Sequence, residues 1–113
     1  MQNYEQKVSQ HNYICKELNA LYAQKNHDYG DSFHQTFLEE GMAMARIRLG
    51  DKLSRFKTLT KNAEQQVNDE SVRDTLIDLA NYAIMTVMEL DCENEQNREI
   101  ENNENGRRIS CVK

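Results

Sequence analysis

The sequence predicts an all-α chain. Apolar residues recur at spacings of three and four along most of it, no stretch alternates with the period of a strand, and proline is absent. These observations point to a compact bundle of three main amphipathic helices, with a short fourth helix drawn from the tail. At 113 residues there is length for one domain and one hydrophobic core. The hydrophobic share of 38% is thin for helices this long, so a homo-oligomer is expected to complete the core.

The first helix spans residues 3 to about 25, where Tyr4, Val8, His11, Cys15, Leu18 and Tyr22 form a stripe widened by Ile14 and Leu21. His11 lies within that stripe and is read as a packed histidine. The pattern stops at Lys25-Asn26-His27-Asp28-Tyr29-Gly30, because Gly30 permits positive φ and Asn and Asp favour turns. The second helix is capped by Asp31 or Ser32 and puts Phe33, Phe37, Met44, Ile47, Leu53 and Phe56 on its buried side. Gly41 and Gly50 each cost about 1 kcal/mol inside a helix, so a close neighbour or a break near Gly50 is expected. Residues 57–68 lose periodicity and read as a loop or a fraying end. The third helix, capped at Asn68 or Asp69, carries the strongest stripe: Val72, Leu76, Leu79, Ala83, Val87 and Leu90. The domain is placed at residues 1–91, and the Glu-, Asn- and Gln-rich stretch 92–113 reads as a polar tail, frayed or disordered.

Charge and cysteine content narrow the function classes. A formal net charge of −5 argues against binding long nucleic acid, which needs a concentrated basic surface, and still leaves room for a local basic pocket. Cys15, Cys92 and Cys111 show neither CxxC nor zinc-ligand spacing and read as reduced thiols. No apolar run approaches the roughly 20 residues of a membrane span, and no signal pattern opens the chain, so a cytoplasmic protein without membrane contact is expected.

The chemistry concentrates in Ala45-Arg46-Ile47-Arg48-Leu49-Gly50-Asp51-Lys52-Leu53-Ser54-Arg55-Phe56. Arg48, Asp51 and Arg55 share one helix face, a pattern that suits phosphate recognition or a structural ion-pair ladder equally. A second polar stripe, Asp74 and Asp78 at i and i+4 with Asn81, lies on the third helix, and the two helices are expected to face each other across a polar site. Tyr82 and Met85 adjoin that stripe, where a wholly solvated face would favour neither. Mg²⁺ is a hard ion that takes carboxylate oxygens and shares its coordination with substrate phosphates. Asp74 and Asp78, with Asp51, form the candidate metal set. Glu40 and Asp51 are the candidate catalytic carboxylates, and Arg48, Lys52, Arg55 and Asn81 the candidate substrate contacts.

Three blocks, KNHDYGDSF, IRLGDKLSRFKTL and ESVRDTLIDLANYAIM, resemble successive blocks of the nucleotide modification associated domain family, small helical proteins frequent in phages and Firmicutes. The resemblance spans about Lys25 to Leu90 and implies a role near nucleotide metabolism, in the host cytoplasm if the chain is phage-encoded. It adds Lys25, Asp28 and Tyr29 of the first block to the candidate substrate contacts. More distantly, Asp78-Leu79-Ala80-Asn81-Tyr82-Ala83 is similar to the end of the acidic motif in MazG-like all-α NTP pyrophosphatases. The chain departs from that motif at Ala43, the third acidic position after Glu39-Glu40, and at Thr75, three before Asp78.

Three readings follow. The first is a Mg²⁺-dependent nucleotide pyrophosphohydrolase. The second is a non-catalytic protein that binds or sequesters a nucleotide or other small phosphorylated ligand. The third is a helical interaction module whose charges form ion-pair ladders.

Overall fold

The computed structural model describes residues 2–61 and 70–101, and at 29 and 98–101 the backbone alone. These residues form four helices: α1 (Tyr4–Tyr29), α2 (Ser32–Glu40), α3 (Met42–Lys61) and α4 (Glu70–Glu101). No strand occurs among the described residues, so the all-α class holds.

The helix ends follow local chemistry. Asn3 and Gln6 close a capping box at the start of α1, with Gln6 N–H donating to Asn3 Oδ1 at 2.8 Å and Asn3 N–H to Gln6 Oε1 at 3.0 Å. Gly30 ends α1 at φ 74°, its N–H donating to the Asn26 carbonyl at 2.9 Å. Asp31 is the N-cap residue of α2, as expected, yet makes no side-chain cap. Its Oδ1 accepts from Asn26 Nδ2 at 3.4 Å instead.

The break expected near Gly50 falls at Gly41. There φ is +73°, a left-handed value that a side chain disfavours, and the Gly41 N–H donates to the Phe37 carbonyl at 2.8 Å. Gly50 is an ordinary helical residue in open space. Among the described residues the short helix of the bundle is therefore α2, cut from the long second segment. Residues 57–61, read as loop, are the last turn of α3, and residues 62–69 lie outside the described residues. Helix α4 runs ten residues past the composition change at 91 to Glu101, and the rest of the tail lies outside the described residues.

The core sits where α2, α3 and α4 meet. Phe33, Phe37, Met44 and Ala45 are buried together, and Tyr82 and Met85 of α4 pack against them. Ala45 is fully covered, so α3 approaches its neighbours with only a methyl between, while burial of Phe37 contributes about 1.5–3 kcal/mol. Under this cluster His34 Nδ1 lies 2.9 Å from both carboxylate oxygens of Glu89, each side chain buried, and joins α2 to α4. The other ring nitrogen, Nε2, is buried with no partner.

Two expected stripes are buried only in part, at Leu18 on α1 and at Val72 and Ile77 on α4. Helix α1 touches α4 through residues 17–25: Glu17 grips Arg73 with two bonds of 2.7 and 2.8 Å, and Asn81 Nδ2 donates to the Leu18 carbonyl at 3.2 Å. Its first three turns extend clear of that contact, leaving Tyr4, Val8, His11 and Cys15 exposed. On α4 the face turned inward carries Thr75, Asp78, Tyr82, Thr86 and Glu89. Leu76, Val87 and Leu90 of the predicted stripe are exposed, together with Ile84 and Met88. The hydroxyls of Thr75 and Thr86 donate to the Ser71 and Tyr82 carbonyls, so the polar face enters the bundle with its donors met. Ile47 and Leu53 of α3, also expected inside, face solvent. Cys15 is free, as expected of a reduced thiol, and Cys111 lies outside the described residues.

Candidate functional site

The end of α1, the start of α2 and the facing sides of α3 and α4 enclose a cavity of about 380 Å³. Two cations, Lys25 and Arg48, two carboxylates, Asp31 and Asp78, and three aromatic rings, Tyr22, Phe33 and Tyr82, line it, with the amides of Asn26 and Asn81. Arg48 reaches it because the inward line of α3 runs Ala45, Arg48, Lys52 at i, i+3 and i+7.

Asp78 is the electrostatic centre of the cavity wall. Its Oδ2 accepts from Lys52 Nζ at 3.2 Å, and its Oδ1 lies 3.5 Å from Lys25 Nζ, so one carboxylate joins α1, α3 and α4. Lys25 is more than half exposed, which makes its pair weak, within about 1 kcal/mol; Lys52 and Asp78 are better screened from water. Arg48 is held differently. Its guanidinium carbon stands 6.0 Å from the centre of the Tyr82 ring, and Tyr82 in turn packs against Phe33 with ring centres 5.9 Å apart and planes tilted by 34°. This cation–π contact orients Arg48 without neutralising it. Among the described residues no carboxylate pairs with the guanidinium.

Two further features are set by the α1–α2 corner. The carboxylate of Asp31 is engaged with Asn26, so the first-turn amides of α2 lack a side-chain cap and remain available to water or an anion. Burial, then the nearby charges of Asp31 and Glu89, push the Tyr22 phenol above its ordinary value. Tyr22 therefore enters the cavity as a neutral hydrogen-bonding group.

Lys25, Arg48, Asp78 and Asn81, all expected at a site, line this one cavity, and Lys52 joins them through Asp78. The two helices meet across a polar contact as expected, through Lys52 and Asp78, although Lys52 lies outside the Arg48–Asp51–Arg55 face. Asp51 and Arg55 of α3 are exposed, as are Asp28 and Glu40. Asp74 is exposed on a second cavity between α1 and α4, which Asp78 and Glu17 also line. Among the described residues no three His, Cys, Asp or Glu side chains are grouped as metal ligands, so Asp51, Asp74 and Asp78 do not form such a group. The side chain of Tyr29 lies outside the described residues. Sequence reasoning missed Tyr22, Phe33, Asn26 and Asp31 as site residues. For Tyr82 the signal was its place beside an acidic stripe.

No helix among the described residues is long and apolar enough to cross a membrane. A family model described as nucleotide modification associated domain 1 matches residues 25–90, from the last turn of α1 through the cavity-lining part of α4. No curated protein and no solved structure matches the chain.

Proposed function

Since this chain belongs to the nucleotide modification associated domain 1 family, we propose that its cavity binds a nucleotide, holding the phosphate at Arg48 and the adjoining lysines and the base among Tyr22, Phe33 and Tyr82. The observation that carries this reading is Arg48: a half-buried guanidinium at a cavity wall, aligned by an aromatic ring and paired with no carboxylate among the described residues. A planar fork in that state is suited to phosphate oxygens. The uncapped first turn of α2 adds amide donors on the same side. A cavity near the low end of the usual range of about 300–1,000 Å³ suits a small ligand.

A second reading is Mg²⁺-dependent hydrolysis of a nucleoside polyphosphate, of the MazG-like kind. Asp74 and Asp78, one turn apart on the α4 wall of the cavity between α1 and α4, favour it. One experiment separates the two. The purified protein is incubated with canonical and modified nucleotides, with and without Mg²⁺, and both turnover and retained ligand are recorded by mass spectrometry. Retention of intact nucleotide, weakened at least tenfold in Arg48→Ala, supports binding. Mg²⁺-dependent turnover supports hydrolysis. Neither retention nor turnover overturns both and returns the interaction module to the front.

A further inference from the structure

We infer that Asp78 is a built-in counter-anion that limits how much phosphate charge the cavity accepts, which makes the preferred ligand a nucleoside monophosphate and not a triphosphate. The inference rests on the nucleotide-binding reading above and goes beyond it to ligand class.

Lys25, Arg48 and Lys52 bring three positive charges to this region, and Asp31 and Asp78 bring two negative ones. A phosphate monoester carries about −1.5 to −2 at pH 7, already more than the single positive charge that remains. Each further phosphoryl group adds negative charge against a carboxylate that stays fixed on α4. Asp78 does not swing away easily, because it bonds at 3.2 Å to Lys52, a side chain only 29% exposed. It also occupies both lysines: a second or third phosphate reaching for Lys25 or Lys52 has to compete with it. Arg48, free of such competition among the described residues, is left as the receptor for one phosphate group. The small cavity volume acts in the same direction.

The test uses the mono-, di- and triphosphates of adenosine, guanosine, cytidine and uridine, titrated calorimetrically without Mg²⁺ into the parent protein, Asp78→Asn, Asp78→Glu and Lys25→Gln. The parent is expected to bind a monophosphate at least as tightly as the triphosphate of the same nucleoside. Asp78→Asn should raise triphosphate affinity about tenfold or more, and by a larger factor than monophosphate affinity, since one repulsive charge is removed from the more highly charged ligand. Asp78→Glu, which keeps the charge, should keep the parental order. Lys25→Gln, at an exposed position that tolerates change, should weaken the triphosphate more than the monophosphate, and decides the matter if Asp78→Asn does not fold. A parent that prefers the triphosphate, or an Asp78→Asn protein whose affinities for all three forms change by one common factor, overturns the counter-anion while leaving nucleotide binding intact. A parent that binds no nucleotide overturns both.

Discussion

Replacing His34 by Leu should be among the most damaging single changes available to this chain, and pairing it with Glu89→Met should repair it. The His34 and Glu89 side chains are 8% and 11% exposed and meet at 2.9 Å, so His34→Leu leaves a buried carboxylate facing a methyl group. Removing one partner of a buried pair costs about 3–5 kcal/mol. A domain of this size holds about 5–15 kcal/mol in all, so the single variant loses a large share of it. With an unfolding entropy of about 2.1 cal/mol/K per residue, the fall in Tm is roughly 10 to 20 °C. Glu89→Met alone should cost about 1–3 kcal/mol, because the His34 ring loses its hydrogen-bond partner. In the double variant no buried charge remains and the unpartnered Nε2 goes with it, so stability should return to within about 1 kcal/mol of the parent or exceed it. Urea and thermal unfolding of the four proteins, followed by circular dichroism, measure the cycle. Costs that simply add in the double variant, or a His34→Leu loss under about 1 kcal/mol, would refute the buried pair as the bond that joins α2 to α4.

Gly41→Ala should destabilise by about 1–2 kcal/mol, because φ is +73° there, whereas Gly50→Ala, in a regular helix with open space around it, should stabilise by about 0.5–1 kcal/mol. Urea midpoints of the two variants check both signs, and equal effects would mean that the helix break is misplaced. The Arg73 hydrogen bond, with its charge, holds the Glu17 carboxyl below the usual carboxylate range. The clamp between α1 and α4 should therefore hold at neutral pH and be lost as pH falls through that lowered value. An NMR titration of Glu17 shows this directly, and Arg73→Gln should return its pKa to the ordinary range. Light scattering should give a mass above one chain, and Val87→Glu, on the exposed apolar face of α4, should reduce it to one. A parent mass of one chain at micromolar concentration would count against the oligomer.

The fold was legible where one residue's chemistry decides a local event. The Asp31 cap position follows from capping preference and stands, whereas the first helix, expected to end near residue 25, runs on to Tyr29 before Gly30 stops it. Gly41 and Gly50 could not be told apart, because their propensity cost is the same and only the backbone angle distinguishes them. Periodicity found the helices and misjudged which face of α4 turns inward. The apolar stripe through Leu76, Val87 and Leu90 was the stronger signal, yet the bundle took the face of Asp78 and Tyr82, whose polar atoms find partners on α1 and α3. Part of the cavity lining was legible: Arg48, Asp78 and Asn81 were picked out by their helix positions and Lys25 by the family resemblance, and Lys52 meets Asp78 across α3 and α4. Arg55 and Asp51 were drawn in by sharing a face with Arg48, an argument that fixes neighbours on one helix and says nothing of which neighbour meets the next. His34 and Glu89 escaped notice because a pair 55 residues apart leaves no periodic trace.

The free turns of α1 carry a consequence for how any partner meets this protein. Starting a helix is the costly step, since several residues must be fixed before the first bond forms, while lengthening one is close to neutral per residue. Residues 17–25, anchored on α4 by Glu17, Leu18 and Lys25, act as a permanent nucleus, so the turns back to Tyr4 need only propagation, and the Asn3–Gln6 box closes the far end against unravelling. Order along this arm should thus grade smoothly, with amide exchange fastest near Tyr4 and slowest near Leu18. Whatever docks on Tyr4 and Val8 meets a backbone already in place and gives up little of its binding free energy to arrange it.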